Sequence, residues 1–416
     1  MTIGGSSGEL TLRQRFPAGD PVDLAGWTAR RVRLAVGDDR VVEFLSAFAR
    51  RLLKPGITRA RPELAALGFF LRPVELHRAI GRLRESTLHG MLRVPRGLVL
   101  HIPPANVDTL FVYSWALSAL AGNRNVVRVS PRSAGATDLV LRALNDTLAD
   151  ADPVIATTQL MITYDRDDEL TTALSAACDL RVVWGGDRAV TRLRRHPLAP
   201  HARDVTFPDR SSFAVVSVAG WHAATPARRR SAVVGFHNDA YWFDQAACAS
   251  PRAVFWIGRP DEAAAARAEF STLLADVAAE RGTSVEPAMA VRKRVAAYGL
   301  AADGLVDSID FRGAAVAVLD LVDPAAVPRR WLGAGTFPQA TLGSLAELAD
   351  LVQRRDQTLA CFGFDRAELV GLTTLLAGRG VDRIVPFGAA LSFASVWDGY
   401  DLLAEFTRLT TVSTTW

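Results

Sequence analysis

The sequence predicts an α/β protein built from two successive units, each with a mainly parallel sheet covered by helices. From about Gly97 onward, short runs rich in β-branched residues alternate with amphipathic stretches of helical length. This alternation is typical of parallel sheets with helices on both faces. Hydrophobic residues make up 49% of the 416-residue chain and charged residues 22%, which is ordinary globular composition.

The elements of the first unit follow from apolar periodicity. The segment before Arg93 is predicted to be mainly helical and to pack on this unit, with helices at 41–53, 62–71 and 73–84. The predicted elements after it are strand Gly97–Ile102, helix Asp108–Leu120 capped by Asp108, strand Asn125–Val129, helix Ser133–Leu148, strand Gln159–Thr163, helix Asp167–Cys178, strand Arg181–Trp184, a helix from about Asp187 and strand Ser212–Val218.

The second unit repeats the pattern more loosely. Its predicted elements are helix Ala224–Tyr241, strand Ala253–Ile257, helices Asp261–Glu280 and Ala288–Ala297, strands Ala315–Leu319 and Leu359–Phe362, helix Arg366–Ala377 and strand Ile384–Phe387. With a boundary near Ala219–Gly220, the chain divides into a helical segment 1–92, a first α/β domain 93–219, a second 220–388 and a C-terminal segment 389–416.

The charge and the cysteine content of the chain limit the classes of function that it can have. The formal charge is +4 and nearly all of the positive charge is arginine, which predicts a mixed-charge surface or contacts with cofactor phosphates or an acidic carrier protein. Nucleic-acid binding would require a recognition motif, and none is present. Three widely spaced cysteines form neither a disulfide framework nor a zinc site, so we expect no metal and a reducing cytoplasm. The start has no signal-peptide pattern, and no apolar run approaches a membrane span.

Cys248 is the first candidate for chemistry. In Asp239–Pro251 it follows a predicted helix and precedes a hydrophobic strand. A turn at this position would expose the thiol and the Cys248 N–H at the edge of the sheet, where the N–H could help to hold an oxyanion. A buried cysteine acting as a small apolar residue is the alternative.

Two loops that follow predicted strands are further candidates, because parallel α/β sheets bind ligands at the carboxyl ends of their strands. In Ile102–Asn106, two prolines stiffen the loop and Asn106 presents an amide that could donate to an oxyanion; a turn or helix cap is the alternative. In Arg181–Asp187, Gly185 and Gly186 would let the backbone approach a phosphate. A tight turn that merely contains glycine is the alternative.

These features occur together in one superfamily. The stretches Ile102–Asn106 and Leu120–Ser130 resemble the cofactor domain of aldehyde dehydrogenases. The stretch Phe243–Pro251 resembles more narrowly the LuxC-type acyl-CoA reductases, which reduce fatty acyl thioesters to aldehydes, usually with NADPH. The likeness continues through Gly380–Gly388 and Val396–Asp401. It implies an aldehyde dehydrogenase-like fold with a Rossmann-type cofactor domain and an α/β catalytic domain.

The resemblance also implies roles for residues. Cys248 matches the acylated nucleophile, and Asn106 matches the side-chain half of the oxyanion hole. Gly185 and Gly186 match the pyrophosphate turn, with Asp187 where the superfamily often has a small hydroxyl residue.

Further cofactor contacts follow from the same resemblance. Pro104 is expected to lie against the cofactor. Arg128, Ser130 and Arg132 follow the second strand, where the superfamily reads the adenosine ribose. Arginines there would favour the 2′-phosphate of NADPH over NADH, and simple solvent exposure is the alternative.

Two departures from the superfamily bear on the reaction. The stretch Thr206–Ser212 lacks the glutamate that activates water in hydrolytic aldehyde dehydrogenases, and Asp209 is its only carboxylate. The ribose-binding glutamate is also absent, with Gly335–Gln339 in its region. The first departure argues against oxidation of aldehydes to acids. The resemblance therefore implies an acyl thioester reductase that takes acyl groups from CoA or a carrier protein, and we expect it to be cytoplasmic and to form a homo-oligomer. An oxidative, CoA-acylating dehydrogenase and a non-reducing acyltransferase or docking protein are the alternatives.

Overall fold

The computed structural model describes residues 12–85, 87, 90–104, 110–132, 135–165 and 167–413. Their strands lie mainly in two sheets. The strands that precede Asp209 are β1 (Arg13–Phe16), β2 (Met91–Pro95), β3 (Leu98–Ile102), β4 (Arg124–Arg128), β5 (Gln159–Thr163), β6 (Leu180–Trp184) and β7 (Arg203–Phe207). Every residue of β3 and of β6 is buried, as expected for strands covered on both faces.

The first sheet has the strand order β1-β5-β4-β3-β6-β7. Pairing from β5 to β7 is parallel, and β1 joins β5 antiparallel. The chain builds outward from β3 to β4 and β5 on one side, and to β6 and β7 on the other. Such a reversal of strand order leaves a crevice at the carboxyl ends of β3 and β6.

Helices cover this sheet. They are α1 (Leu24–Ala29), α2 (Asp39–Leu52), α3 (Pro55–Ala60), α4 (Pro62–Phe70), α5 (Pro73–Glu85), α6 (Leu110–Leu120), α7 (Ala136–Leu148), α8 (Val154–Thr158), α9 (Asp168–Ala177) and α10 (Asp187–Leu193). Helices α2, α4 and α5 lie in the segment before Arg93, and α2 packs on α7. The predicted cap Asp108 lies outside the described residues.

The second sheet lies in the second unit, Asp209–Ser392. Its strands are β8 (Ser211–Ser217), β9 (Pro251–Ile257), β10 (Val306–Arg312), β11 (Val316–Leu321), β12 (Thr336–Leu342), β13 (Asp356–Phe362) and β14 (Arg383–Pro386). Their order is β10-β11-β12-β9-β8-β13-β14. Only the edge pair β10–β11 is antiparallel among the described strands of this sheet.

The helices of the second unit cover both faces of its sheet. They are α11 (Val218–Ala223), α12 (Pro226–Tyr241), α13 (Pro260–Glu280), α14 (Pro287–Ala302), α15 (Leu345–Leu351) and α16 (Arg366–Leu376). One apolar cluster centres on Trp221, Phe236, Trp256 and Phe270. A second cluster on other side chains of β8, β9 and β13 includes Cys361.

Two expectations for this region need correction. The strand expected at Ser212–Val218 exists as β8, but it pairs with β9 and β13 in the second sheet and does not close the first. The single helix expected at Ala224–Tyr241 is two helices: Ser217 caps α11, and Thr225 caps α12 ahead of Pro226. The chain enters the second unit between Pro208 and Asp209.

The residues after Ser392 return to the first unit. Strands β15 (Val396–Trp397) and β16 (Tyr400–Asp401) form a hairpin, and the short helix α17 (Leu402–Glu405) leads into β17 (Thr407–Thr411). Asp398 and Gly399 both have positive φ, the conformation of the tightest hairpin turn. Strand β17 pairs antiparallel with β2. Within the described ranges, none of the helices is long and apolar enough to cross a membrane.

Candidate active site

Cys248 lies in a turn segment, Trp242–Ser250, that joins α12 to β9. Two short backbone bonds shape the segment: the Ala246 N–H donates to the Phe243 carbonyl at 2.8 Å, and the Ser250 N–H donates to the Ala247 carbonyl at 3.1 Å. The residue itself is half-buried. We call Trp242–Ser250 the nucleophile loop.

Gln245 ties the nucleophile loop to two strands. Its side-chain amide donates to the carbonyl oxygens of Pro251 at 2.8 Å and Thr336 at 3.1 Å, and its amide oxygen accepts from the Thr336 N–H at 3.2 Å. Asp244 and Gln245 both have positive φ, at 50° and 61°. Non-glycine residues avoid this region unless the surroundings enforce it. The three bonds of the buried Gln245 amide provide that enforcement.

Ser212 holds the loop at Cys248 itself. Its hydroxyl donates to the Cys248 carbonyl oxygen at 2.6 Å and accepts from the Thr358 N–H at 3.1 Å. Ser212 lies at the start of β8 and Thr358 near the start of β13, while Gln245 reaches the start of β12. The nucleophile loop therefore lies across the amino ends of parallel strands.

Arg252, at the start of β9, also contacts the nucleophile loop. Its Nη1 donates to the carbonyl oxygens of Arg329 at 3.2 Å and Arg210 at 3.5 Å, and its Nη2 donates to that of Ala246 at 3.5 Å. Burial lowers the pKa of the Arg252 guanidinium, and the nearby negative charge of Cys248 acts against this shift. Sequence reasoning missed this residue, because nothing in the local pattern distinguishes it from the other arginines.

Asp209 is exposed at the start of the second unit, two residues before β8. Its charge also opposes the lowering of the Arg252 pKa. The only carboxylate of the Thr206–Ser212 stretch is thus electrostatically linked to the arginine beside the nucleophile loop.

Asp239 joins two motifs that were identified separately in the sequence. Its carboxylate accepts from the backbone N–H groups of Gly388 at 2.7 Å and Ala390 at 3.0 Å. Burial raises the pKa of Asp239 to about 6, against the opposing effect of these backbone donors. Gly235, one helical turn earlier, leaves no room for a side chain, because a Cβ would stand 2.8 Å from the Phe387 carbonyl oxygen. The end of α12, which leads into the nucleophile loop, is thereby fixed to the segment after β14.

The other two cysteines, unlike Cys248, are buried. Burial raises the pKa of the Cys178 thiol to about 12 and that of the Cys361 thiol to about 11. Cys178 is the C-terminal cap of α9 and Cys361 lies in β13. All three cysteines are described, and none is in a disulfide. Among the described residues, no group of His, Cys, Asp or Glu side chains is arranged to hold a metal ion.

The residues predicted to contact a cofactor lie in the first unit, at the carboxyl ends of neighbouring strands. Pro104 follows β3, Arg128 ends β4 and Gly185 follows β6, so the topology brings them to one edge of the sheet. The predicted oxyanion donor Asn106 lies outside the described residues.

The turn after β6 leads directly into α10. Gly186 is the N-cap of α10, and Asp187 is its first helical residue. A Cβ on Gly186 would meet nothing within 4 Å, whereas one on Gly185 would stand 3.3 Å from the Ala189 Cβ. Open space therefore lies above the helix start, on the side where the carboxyl ends of the strands meet.

The residues after β4 have local partners. The Arg128 guanidinium stacks on the Tyr164 ring, 4.7 Å from its centroid, and donates to the Tyr164 carbonyl at 3.3 Å. Its Nε is buried without a hydrogen-bond acceptor. The Ser130 hydroxyl accepts from the Arg132 N–H at 3.2 Å, and the Arg132 side chain is exposed.

An aromatic cluster beside this edge was not expected from the sequence. Trp184, the last residue of β6, stacks on Phe207 at 3.5 Å between ring centroids, and Tyr113 meets Trp184 edge-on at 6.3 Å. Tyr113 also stacks on Phe393 from the C-terminal segment. Alternating hydrophobicity locates each strand but does not show which aromatic residues meet.

Comparison with known proteins begins with a family model described as acyl-CoA reductase (LuxC), which matches residues 85–297. The long-chain acyl-protein thioester reductase of Aliivibrio fischeri is 24% identical over 165 residues, which is 39% of this chain and 33% of that protein. Long-chain acyl-protein thioester reductase 2 of Photobacterium leiognathi is 25% identical over 170 residues, which is 40% of this chain and 33% of that protein. The matched region thus spans about one third of the length of these relatives.

Solved structures extend the similarity of fold over nearly the whole chain. Aldehyde dehydrogenase 21 from Physcomitrella patens, in complex with the reaction product succinate, superposes with a TM-score of 0.64 at 12% identity, over 93% of this chain and 86% of that one. An NAD-dependent aldehyde dehydrogenase from Sinorhizobium meliloti gives 0.63 at 13% identity, over 94% and 84%. The predicted aldehyde dehydrogenase-like fold is confirmed.

Proposed function

This chain belongs to the acyl-CoA reductase (LuxC) family, and on that premise we propose that it reduces an acyl thioester to an aldehyde through an acyl-enzyme on Cys248. The relatives in Aliivibrio and Photobacterium are named acyl-protein thioester reductases, which supports a carrier-protein thioester as the substrate. Acyl-CoA presents the same thioester chemistry and is the alternative donor.

The observation that carries the proposal is the support given to the nucleophile loop. Gln245 and Ser212 fix the backbone on both sides of a half-buried thiol, whereas burial raises the pKa of the thiols of Cys178 and Cys361 far above neutrality. Reaction at a thiol requires the thiolate and access to it. Cys248 is the cysteine of this chain that combines a rigid backbone with exposure.

The first chemical step is a thiol exchange. The Cys248 thiolate attacks the acyl carbon of the substrate, and the Cys248 N–H and the Asn106 amide are proposed to hold the oxyanion. The C–S bond of the substrate then breaks, and its thiol leaves as a thiolate. Because one thiolate replaces another, this exchange needs no strong general acid or base. The acyl group remains on Cys248 as a thioester.

We propose that a nicotinamide dinucleotide binds at the edge formed by β3, β4 and β6. The open Cβ position of Gly186 and the reversal of strand order between β3 and β6 support a pyrophosphate site there. We propose that Pro104, Gly185, Gly186 and Asp187 line it, and that Arg128, Ser130 and Arg132 face the adenosine ribose. When bound, NADPH would supply the hydride that reduces the acyl group, with NADH as the alternative donor. Arg132, whose side chain is exposed, would then meet the 2′-phosphate.

We propose that the acyl-enzyme is reduced rather than hydrolysed. The Thr206–Ser212 stretch offers no glutamate to activate water, so a thioester on Cys248 would survive until hydride arrives. Asp209 is the carboxylate that could weaken this protection, since it lies within electrostatic reach of Arg252.

The test is intact-mass spectrometry combined with aldehyde detection. With an acyl-carrier-protein or acyl-CoA thioester alone, the wild-type chain is expected to gain the mass of the acyl group, and added NADPH is expected to release aldehyde. Cys248→Ala should abolish both events while nucleotide binding survives. Cys178→Ala and Cys361→Ala, as matched controls, should retain both. Aldehyde formation by Cys248→Ala would refute the proposal.

A further inference from the structure

The guanidinium of Arg252 carries a positive charge that is not paired with a carboxylate. Its hydrogen-bond partners are backbone carbonyl oxygens, at 3.2 to 3.5 Å. Its Nε–H is buried and has no acceptor. Among the residues that the structure describes, no ion pair includes this side chain. A partly buried cation held only by long bonds to carbonyl groups lacks the partner that such a charge normally has.

The neighbouring arginines do have such partners. Arg329 forms a two-pronged ion pair with the buried carboxylate of Asp356, with its Nε at 2.9 Å. The buried Arg210 pairs with Asp382. The two arginines whose backbone carbonyl groups bind Arg252 therefore have side chains neutralised by aspartates, whereas Arg252 has no such carboxylate partner among the described residues.

The charges that act on the Arg252 guanidinium point to Cys248 as its electrostatic partner. Cys248 and the exposed Asp209 attract it, and Arg355 repels it. Electrostatic attraction is mutual: a thiolate that favours the charged guanidinium is itself favoured by that guanidinium to the same extent. Cys248 precedes Arg252 by four residues in the chain. The Arg252 Nη2 donates to the carbonyl oxygen of Ala246, two residues before Cys248.

We propose that Arg252 is a positioning residue whose guanidinium provides the positive charge that keeps the Cys248 side chain as a thiolate. The inference rests on the nucleophilic role proposed above for Cys248, and it adds the group that makes this thiol reactive at neutral pH. Arg252 need not touch the substrate, because it acts through the nucleophile. The absence of a carboxylate partner among the described residues is then explained.

The test is the pH dependence of iodoacetamide alkylation at Cys248, measured by peptide mass spectrometry between pH 5 and 10. In Arg252→Gln, the apparent pKa of the reaction is expected to rise by about one unit or more, the usual effect of losing an adjacent opposite charge. The alkylation rate at pH 7 should then fall about tenfold. Arg252→Lys, which keeps the charge but changes the carbonyl contacts, should retain most of the wild-type profile. Arg259→Gln, which removes an exposed arginine just beyond the other end of β9, is the matched control and should leave the profile unchanged.

Two results would overturn the inference: a wild-type profile in Arg252→Gln, or an Arg252→Lys variant as impaired as Arg252→Gln. If the glutamine variant does not fold, which circular dichroism would reveal, Arg252→Met takes its place, because it also removes the charge and keeps an unbranched side chain. Alkylation needs neither acyl substrate nor cofactor. An Arg252-dependent profile in a chain that makes no aldehyde therefore refutes only the proposed function, and aldehyde formation with an Arg252-independent profile refutes only this inference.

Discussion

Replacement of Gln245 by methionine tests how the nucleophile loop is held. Methionine has nearly the same length but can neither donate to Pro251 and Thr336 nor accept from the Thr336 N–H. Each lost bond is worth about 1 kcal/mol net, so the free energy of unfolding should fall by about 3 kcal/mol, which is roughly a hundredfold in the folding equilibrium. Relaxation of the positive φ angles at Asp244 and Gln245 would accompany this loss.

Gln245→Glu sharpens the test through its pH dependence. The carboxylate would face two carbonyl oxygens, which should raise its folded-state pKa above the unfolded value of about 4.3. The protonated side chain can still donate one hydrogen bond. Stability should therefore be lost as the pH rises from about 4.3 through the folded pKa, and it should stay low at pH 7.

The assay is urea unfolding followed by circular dichroism at pH 4 and pH 7, with wild type and both variants at each pH. Gln245→Met should show a similar deficit at both values, whereas Gln245→Glu should show a much larger deficit at pH 7. A change below about 1 kcal/mol in the methionine variant, less than one net hydrogen bond is commonly worth, would contradict the anchoring role. Equal pH behaviour of the two variants would contradict the proposed contacts.

Three further predictions concern the proposed reaction. Asn106→Ala should lower turnover by about 10²- to 10³-fold, the usual cost of one oxyanion donor, with little loss of folding stability; wild-type turnover would place the oxyanion elsewhere. Replacing Arg128 and Arg132 by alanine should shift the kcat/KM preference from NADPH toward NADH by about tenfold, the value of one charge-assisted bond, and a wild-type enzyme equally active with NADH would disprove their assignment. Asp209→Asn should leave the lifetime of the Cys248 acyl-enzyme nearly unchanged in the absence of NADPH. A marked lengthening would identify Asp209 as a base that activates water.

Strands made of apolar, β-branched residues could be predicted from the sequence. Leu98–Ile102 and Leu180–Trp184 are uninterrupted buried runs, and such runs indicate strands covered on both faces. Strand β12 could not be predicted in this way, because Pro338 stands in its middle and proline normally argues against a central strand. The edge strand β10 was missed because its sequence, Val-Asp-Ser-Ile-Asp-Phe-Arg, is largely polar.

Pairing between distant strands was also beyond sequence reasoning. The boundary expected near Ala219–Gly220 places β8 in the first unit, yet its partners are β9 and β13. Hydrophobic periodicity describes one strand at a time and carries no information about its partner.

The candidate site, too, could be predicted from the sequence only in part. The motif around Cys248 indicated the proposed nucleophile, and the glycine turn after β6 indicated the proposed cofactor loop. The general preference of α/β sheets for ligands at carboxyl ends would not have placed the nucleophile loop at the amino ends of β8, β12 and β13. Arg252 was overlooked because its unpaired charge becomes visible only when its neighbours are known.

The supports of the nucleophile loop come from widely separated parts of the chain, which has a consequence for biosynthesis. Ser212 precedes Cys248 by 36 residues, whereas Thr336 follows Gln245 by 91 and Thr358 follows Ser212 by 146. A nascent chain emerges from the ribosome in order, so the cysteine is available long before β12 and β13 exist to anchor its loop. Until those strands have been translated, Cys248 is an ordinary thiol on an unanchored segment. Prematurely terminated products would then carry the cysteine without the strands that anchor its loop.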